Sequence, residues 1–188
     1  MPNYFDLEVS LAGVEPRIWR RFLLKDSATF RHLHEAIQDA CGWEDGHLYE
    51  FSDAKGKTAI AGAPYEDPLE GECAPADNQV RLASHFARKG TKCIYRYDFG
   101  DCWDHLVELK AVVELPERFK RRLVGGQRAF PPEDCGGIWG YDSCLKAVGA
   151  LKPDSDDDSD DLEERREWLG DWNPEAFDLA SAKKDFDC

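Results

Sequence analysis

One stretch of the sequence decides the fold class: residues 93–113, which read CIYRYDFGDCWDHLVELKAVV. Apolar residues largely alternate with polar ones from Cys93 to Phe99 and again from Trp103 to Val113. This period of two is typical of a β-strand with one buried face. Only Gly100-Asp101-Cys102 separates the two runs, so the stretch predicts an antiparallel hairpin with a tight, acidic tip.

The first forty residues predict a second hairpin and a helix. Phe5 to Leu11 alternates with the same period, and Ile18 to Leu24 follows a short turn that contains Gly13. Apolar residues from Phe30 to Ala40 then recur at spacings of three and four, as on one face of a helix, which is predicted to end at Gly42. We therefore predict an α+β fold: an antiparallel-rich sheet with one principal helix packed on a face, plus a C-terminal helical segment.

Weaker signals elsewhere predict smaller elements. His47 to Phe51 and Lys57 to Ile60 are short strand candidates, and Ala61 to Asn78 is predicted to be a polar loop. Tyr141 to Leu151 has the composition of a helix. Asn173-Pro174 places a capping side chain before a proline, which is a start signal for the last helix.

The domain organisation follows from changes in composition. Residues 1–152 are predicted to form an α+β core domain that includes an ordered Pro-Pro-Glu-Asp-Cys-Gly-Gly loop at 131–137. The prolines restrict this loop before folding, which lowers the entropy cost of ordering it. Residues 153–161 are predicted to be an acidic linker whose carboxylates repel one another. Residues 162–188 are predicted to be a C-terminal helical segment packed on the core.

Charge and cysteine usage limit the classes of function and location. The net charge is −14, from 24 basic and 38 acidic residues, which disfavours direct binding of a nucleic-acid backbone. No apolar stretch approaches the roughly 18 to 20 residues of a membrane-spanning helix, and the N-terminus has no signal-peptide pattern. The seven cysteines show no C-x-x-C spacing. We therefore expect reduced thiols, a cytoplasmic location and no membrane contact.

Residue types suited to acid/base or metal chemistry concentrate at the hairpin tip and in the 131–137 loop. The candidate functional cluster contains Asp98, Asp101, Asp104, His105, Glu133, Asp134, Cys135 and Tyr141. These side chains converge only if the loop folds over the tip. The alternative is a structural role in turns, caps and hydrogen bonds. The Cys102-x-x-His105 pair has no second pair of similar spacing, so no ligand set, cofactor or catalytic residue is assigned, and a divalent metal stays an alternative.

A second group of residues could contact an anion or a partner. It contains Arg17, Arg20, Arg21 and His34. The arginines form a short basic cluster in an acidic protein, and His34 is expected at the surface or in contact with a partner. The alternative is that the arginines neutralise carboxylates of the chain itself.

Several ordered motifs are distinctive as a set. They include PRIWRR at 16–21, LHEAIQ at 33–38, YDFGD at 97–101 and GQRAFPPEDCGG at 126–137. Together they closely resemble the plasmid pRiA4b ORF-3-like family over nearly the whole chain. Some members carry resolvase-like labels or occur with mobile elements, so the resemblance implies a nucleic-acid-associated protein as one alternative. Phe130 stands where the family usually has cysteine, so a cysteine-rich metal site is not carried over to this chain.

Three classes of function stay open. We favour a non-enzymatic protein-interaction module that uses the 131–137 loop and exposed aromatic residues such as Trp43 or Trp139. The alternative is a carboxylate/His-based hydrolase or nuclease-like enzyme, with or without a divalent metal. A nucleic-acid-associated protein of mobile elements is the further alternative. Neither a G-x-S-x-G elbow nor a phosphate-binding glycine loop occurs in the sequence.

Overall fold

A computed structural model describes residues 1–63, 74–155 and 157–188. Within these residues one seven-stranded sheet has the order β4-β3-β5-β6-β1-β2-β7, and every neighbouring pair is antiparallel. Its strands are β1 (Asn3–Leu11), β2 (Trp19–Lys25), β3 (Tyr49–Asp53), β4 (Ala59–Gly62), β5 (Lys92–Tyr97), β6 (Trp103–Glu114) and β7 (Arg121–Gln127). Both predicted hairpins are confirmed. Residues 64–73 of the predicted 61–78 loop lie outside the described residues.

The described residues also form four α-helices and one 3-10 turn at Leu82–Ser84. The helices are α1 (Phe30–Cys41), α2 (Gly137–Ala147), α3 (Ser159–Leu169) and α4 (Leu179–Phe186). The α+β class and the helix that ends before Gly42 are confirmed. A single principal helix is not a clear feature, because α2 and α3 have 11 residues each against 12 in α1. None of the helices in the described ranges combines the length and apolarity that a membrane crossing needs.

The core lies between α1 and one face of the sheet. Phe30, Leu33 and Ile37 on α1 are fully buried, and their spacing is the one predicted. The Phe30 ring contacts that of Phe51 on β3 with a centroid distance of 4.9 Å. Burial of each such side chain contributes about 1.5 to 3 kcal/mol. The helix therefore fixes the side of the sheet that is closed to solvent.

Strand β7 was not predicted from the sequence. It contains Gly125 and Gly126, which weaken a strand signal because glycine has no side chain to pack on the sheet. The structure explains Gly126, since a Cβ there would lie 2.7 Å from Cδ of Arg20. The outer edge of β7 pairs with the last residues of the chain: the Lys120 and Arg121 amides donate to the Cys188 carbonyl, at 2.6 and 3.2 Å.

The acidic segment differs from a simple linker. Residues 159–161 belong to α3, which begins after the N-cap Asp158. Lys146 lies among three carboxylates, with Nζ 3.2 Å from Asp142, 2.7 Å from Asp154 and 3.1 Å from Asp157. A cation in this position offsets the repulsion between the acids. The segment is therefore tied to α2 by one lysine.

The last helix begins later than predicted. The Asn173 side chain accepts a hydrogen bond from the Glu175 amide at 2.9 Å and forms a local turn. Helix α4 instead begins after Asp178, whose carboxylate accepts from the Ser181 amide at 2.6 Å. This helix places Phe186 in the core. The C-terminal segment is therefore packed on the sheet.

Candidate functional site

The tip of the β5–β6 hairpin holds one carboxylate in a fixed position. Asp98 and Cys102 both have φ of +55°, the left-handed region that aspartate tolerates better than most residues. Asp98 Oδ1 accepts a hydrogen bond from the Gly100 amide at 2.8 Å, and its carbonyl accepts from the Cys102 amide at 2.7 Å. Its second oxygen, Oδ2, is thus left to face a neighbouring segment.

The 131–137 loop docks on this tip through Asp101. The Gly136 amide donates to Asp101 Oδ2 at 3.0 Å. At Gly137, where φ is +66°, a Cβ would lie 2.7 Å from the Asp101 carbonyl oxygen. The glycine pair is therefore needed for the close approach of the two backbones.

Glu133 ties the same loop to the segment between α1 and β3. Its carboxylate accepts from the Tyr97 hydroxyl and, at 2.7 Å, from the Glu44 amide. Burial, reinforced by the Glu133 carboxylate, raises the pKa of Tyr97, so the phenol stays protonated and can donate. The Trp43 indole donates to the Pro131 carbonyl at 2.9 Å and is only 7% exposed. The prediction that Trp43 is an exposed aromatic is therefore wrong, because its ring anchors the loop.

Three side chains from separate segments meet beside this loop: His47, Asp98 and Asp134. One ligand atom from each lies within 4.8 Å of the other two. His47 Nε2 is 2.9 Å from Asp134 Oδ1, and His47 Nδ1 is 3.8 Å from Asp98 Oδ2. Asp98 is 14% exposed, His47 33% and Asp134 69%. The group, which we call the His/Asp triad, is therefore closed on the Asp98 side and open to solvent on the Asp134 side.

His47 was missed in the sequence because its position depends on a long-range strand pairing. The register Tyr49↔Tyr97 pairs β3 with β5, and the Asp98 amide donates to the Leu48 carbonyl at 2.9 Å. His47 is therefore placed beside the residues that follow β5. The predicted strand at 47–51 was a usable signal, but sequence does not show which strand it pairs with.

Three members of the predicted cluster lie away from the triad. Asp104 forms a two-pronged ion pair with Arg96 across the hairpin, at 2.7 and 2.8 Å. His105 is fully buried, and this burial lowers its pKa to about 4. Tyr141 is buried against Trp172, and burial raises its pKa. Strand alternation directs His105 into the core, so it cannot share a ligand with Asp134, whose side chain is 69% exposed.

The remaining members have supporting positions. Asp101 and Glu133 hold backbone and hydroxyl groups of the loop, as described above. Cys135 is 3% exposed, and its carbonyl accepts from Arg165 at 3.2 Å. Of the eight predicted residues, the structure thus brings Asp98 and Asp134 together with the unpredicted His47.

The basic cluster is engaged within the protein. Arg21 bonds both oxygens of Asp6, at 2.8 and 2.6 Å, and Arg17 contacts Glu8 at 2.8 Å. Arg20 is 5% exposed and donates to three backbone carbonyls. The contacts of Arg21 and Arg17 correspond to the alternative of internal neutralisation, whereas Arg20 is held by backbone carbonyls.

His34 is fully buried, so the expectation that it lies at the surface is wrong. Its ring nitrogens bond the Tyr95 hydroxyl at 2.8 Å and Asp45 at 2.7 Å. The ring also stacks on Tyr49 at a centroid distance of 3.5 Å. Burial lowers the pKa of His34 despite the nearby Asp45 carboxylate. The helix face that carries Leu33 and Ile37 is wide enough to bury this polar residue as well.

Comparison with known proteins places this chain in a family. A family model described as plasmid pRiA4b ORF-3-like protein matches residues 3–181. The chain is 35% identical over 144 residues to the uncharacterized protein y4hQ of Sinorhizobium fredii, covering 76% of this chain and 71% of that protein. The crystal structure of MM3350, a protein of unknown function from Methanosarcina mazei Go1, is similar with a TM-score of 0.79 and 32% identity over 96% of each chain. The resemblance predicted from the motifs is thus confirmed, and the chain belongs to the plasmid pRiA4b ORF-3-like family.

Proposed function

We propose that this protein binds one divalent metal ion at the His/Asp triad and uses it to activate water for hydrolysis. The observation that carries the proposal is the approach of three ligand atoms, one each from His47, Asp98 and Asp134, to within 4.8 Å of one another. Imidazole and carboxylate are common ligands of divalent metals in proteins. Three segments that are distant in the sequence supply them.

The charge of the triad favours a cation. Within the described ranges, His47 is the sole ion-pair partner of both Asp98 and Asp134. Two carboxylates close together repel each other when both are ionised, and a metal ion between them removes that repulsion. One imidazole with two carboxylates suits Mn²⁺ or Zn²⁺ better than Ca²⁺, which takes oxygen ligands.

The open side of the triad supports a catalytic rather than a structural ion. Structural zinc sites usually use four protein ligands, whereas catalytic sites use three and keep a position for water. Asp134 is 69% exposed, so solvent reaches that side. A divalent ion lowers the pKa of its bound water and supplies a nucleophile near neutral pH. The net charge of −14 makes a nucleic-acid substrate a poor fit, so we expect a small substrate.

Titration calorimetry of EDTA-treated protein with MnCl₂ and ZnCl₂ tests metal binding. We expect one ion per chain, and a loss of at least about tenfold in affinity in His47→Ala and Asp134→Asn. Asp104→Asn is the matched control, because Asp104 belongs to the same hairpin but pairs with Arg96. Equal affinity in wild type and Asp134→Asn, or no binding at all, would contradict the proposal.

A separate assay tests hydrolysis. Activated carboxylic and phosphate esters should be cleaved by the metal-loaded protein, and EDTA or Asp134→Asn should remove that activity. If the ion binds at the triad but no ester is cleaved faster than in buffer, the hydrolytic part of the proposal is wrong while the metal site stands.

A protein-interaction module is the second candidate, favoured by one observation. Trp139 in the first turn of α2 is 88% exposed. Tryptophan is enriched among residues that dominate binding energy, and the glycine pair before it holds α2 against the hairpin tip. Photo-crosslinking from position 139 in native cells, followed by affinity measurement with the purified partner, tests this function. Trp139→Ala should abolish binding, whereas Trp168→Ala, also at an exposed tryptophan, should not.

A further inference from the structure

Two thiols lie together beneath the groove between α2 and α3. The chain at Cys135 folds back against α2, where a Cβ on Gly140 would overlap the Cys135 carbonyl. Cys144 lies four residues after Gly140, and thus one turn further along the same face of the helix. Both residues are free thiols, and each thiol is the main influence on the pKa of the other.

A guanidinium group from α3 completes the cluster. Arg165 Nη1 lies 3.6 Å from the Cys144 sulfur and 3.2 Å from the Cys135 carbonyl oxygen. A positive charge beside a thiol stabilises the thiolate, which is the reactive form. The neighbouring Cys135 thiol, together with Arg165, lowers the pKa of Cys144 to about 7, although burial opposes this shift.

Cys93 and Cys41 lack a second thiol that influences their pKa. Burial raises the pKa of Cys93, and no charged neighbour offsets the effect. Burial likewise raises the pKa of Cys41, and the charge of the nearby Arg20 offsets only part of this effect. Among the described cysteines, the thiol pair thus combines a second sulfur with a cation, and a cation beside a thiol is one of the features that raise cysteine reactivity.

The surroundings of the pair select a small, uncharged oxidant. Cys135 is 3% exposed and Cys144 is fully buried, but Cys135 and Arg165 line a groove of about 740 Å³. The same groove is lined by five carboxylates: Asp134, Asp157, Asp158, Asp161 and Glu164. These charges disfavour an anionic oxidant such as glutathione disulfide, whereas hydrogen peroxide is neutral and small.

We infer that Cys135 and Cys144 form a reversible peroxide-sensitive thiol pair. The Cys144 thiolate attacks one oxygen of hydrogen peroxide, the O–O bond breaks, and the released hydroxide takes up a proton to become water. The Cys135 thiol then attacks the sulfenic sulfur of Cys144. The S–O bond breaks, a second water leaves, and a disulfide forms. Two thiols are oxidised by two electrons while one peroxide is reduced to two waters.

Peptide mapping by mass spectrometry tests this reaction in the full chain. After equimolar hydrogen peroxide, we expect a linked peptide pair containing Cys135 and Cys144, reversed by dithiothreitol. In Cys135→Ser, dimedone should trap a sulfenic acid on Cys144. Oxidation that occurs only at the exposed Cys102 or Cys188, or no reaction above that of free cysteine, would overturn the inference.

A charge substitution separates reactivity from packing. Arg165→Met should slow disulfide formation by roughly tenfold at neutral pH, because the thiolate fraction of Cys144 falls as its pKa returns toward that of free cysteine. Arg165→Lys should keep most of the rate, since it keeps the positive charge. Circular dichroism checks that both variants fold. If Arg165→Met folds and reacts as fast as wild type, Arg165 does not activate the pair and the inference is wrong.

Discussion

His47 and His105 flank the same aromatic cluster but have opposite environments. His105 is enclosed by the rings of Trp43, Tyr95 and Phe130, with centroid distances of 5.3 to 5.8 Å. His47 is one-third exposed and lies between two carboxylates. The sequence analysis placed His105 in the candidate functional cluster and did not place His47 there. The comparison shows that strand register, rather than residue type, decides which histidine lies beside carboxylates.

Removal of the buried His105 ring should have the largest effect on stability. We expect His105→Ala to lower the free energy of unfolding by about 3 to 5 kcal/mol, as for other large aromatic truncations in a packed core. Urea denaturation at pH 7 measures the change. A loss below about 1 kcal/mol would show that the core around Trp43 and Phe130 collapses into the space, and would weaken the contrast with His47.

Acid should destabilise the protein through the same buried side chain, His105. The pKa of His105 is about 4 in the folded protein, against about 6.5 when unfolded, so the unfolded chain binds more protons in this range. Stability should therefore fall as the pH drops below about 6.5 and level off near pH 4, with a loss of about 2 kcal/mol between pH 7 and pH 5. The pKa of His34 is also lowered in the folded protein, so His34 adds to this dependence of stability on pH.

Urea midpoints measured at the two pH values check this dependence. His105→Leu should reduce the slope by the share that His105 contributes. An unchanged slope in that variant would assign the effect to other groups.

Tyr97 links the two histidine regions, so its hydroxyl should have an intermediate effect. The ring stacks on Trp43 in the core, whereas the hydroxyl donates to Glu133 and accepts from the Gly46 amide at 2.9 Å. We expect Tyr97→Phe to lower the free energy of unfolding by about 1 to 2 kcal/mol, because the Glu133 carboxylate and the Gly46 amide each lose a hydrogen-bond partner. It should also weaken Mn²⁺ binding severalfold, since the loop that carries Asp134 loses an anchor. Unchanged metal affinity would show that Glu133 does not position the triad.

The smallest effect on stability should come from the exposed histidine. His47→Ala should change the free energy of unfolding by no more than about 0.5 kcal/mol, as is typical of surface substitutions, while metal binding is lost. Paired denaturation and titration calorimetry test both halves of this statement. A large loss of stability would assign His47 a structural role and remove the contrast with His105.

Much of the fold could be predicted because it depends on local patterns. The hairpin at 93–113 and helix α1 follow from residue periods within one element. Strand β7 could not be predicted in this way, since Gly126 is explained by the close approach of Arg20 and Phe177, which lie elsewhere in the sequence. For the site, Asp98 and Asp134 stand out as acids in turns, but their meeting with His47 depends on the pairing of β3 with β5. Such pairing is set by the whole sheet.

The contact between β7 and the last residues has a consequence for how partners could attach. Exposed sheet edges present unpaired amides and carbonyls that recruit a strand from another molecule, the mode known as β-augmentation. In the first half of β7, the Cys188 backbone bonds Arg121, and the Asp187 carboxylate accepts from the Leu123 amide at 2.7 Å, so these backbone groups are already paired. A partner that recognises this protein by strand addition must therefore displace its C-terminal residues or use a different edge.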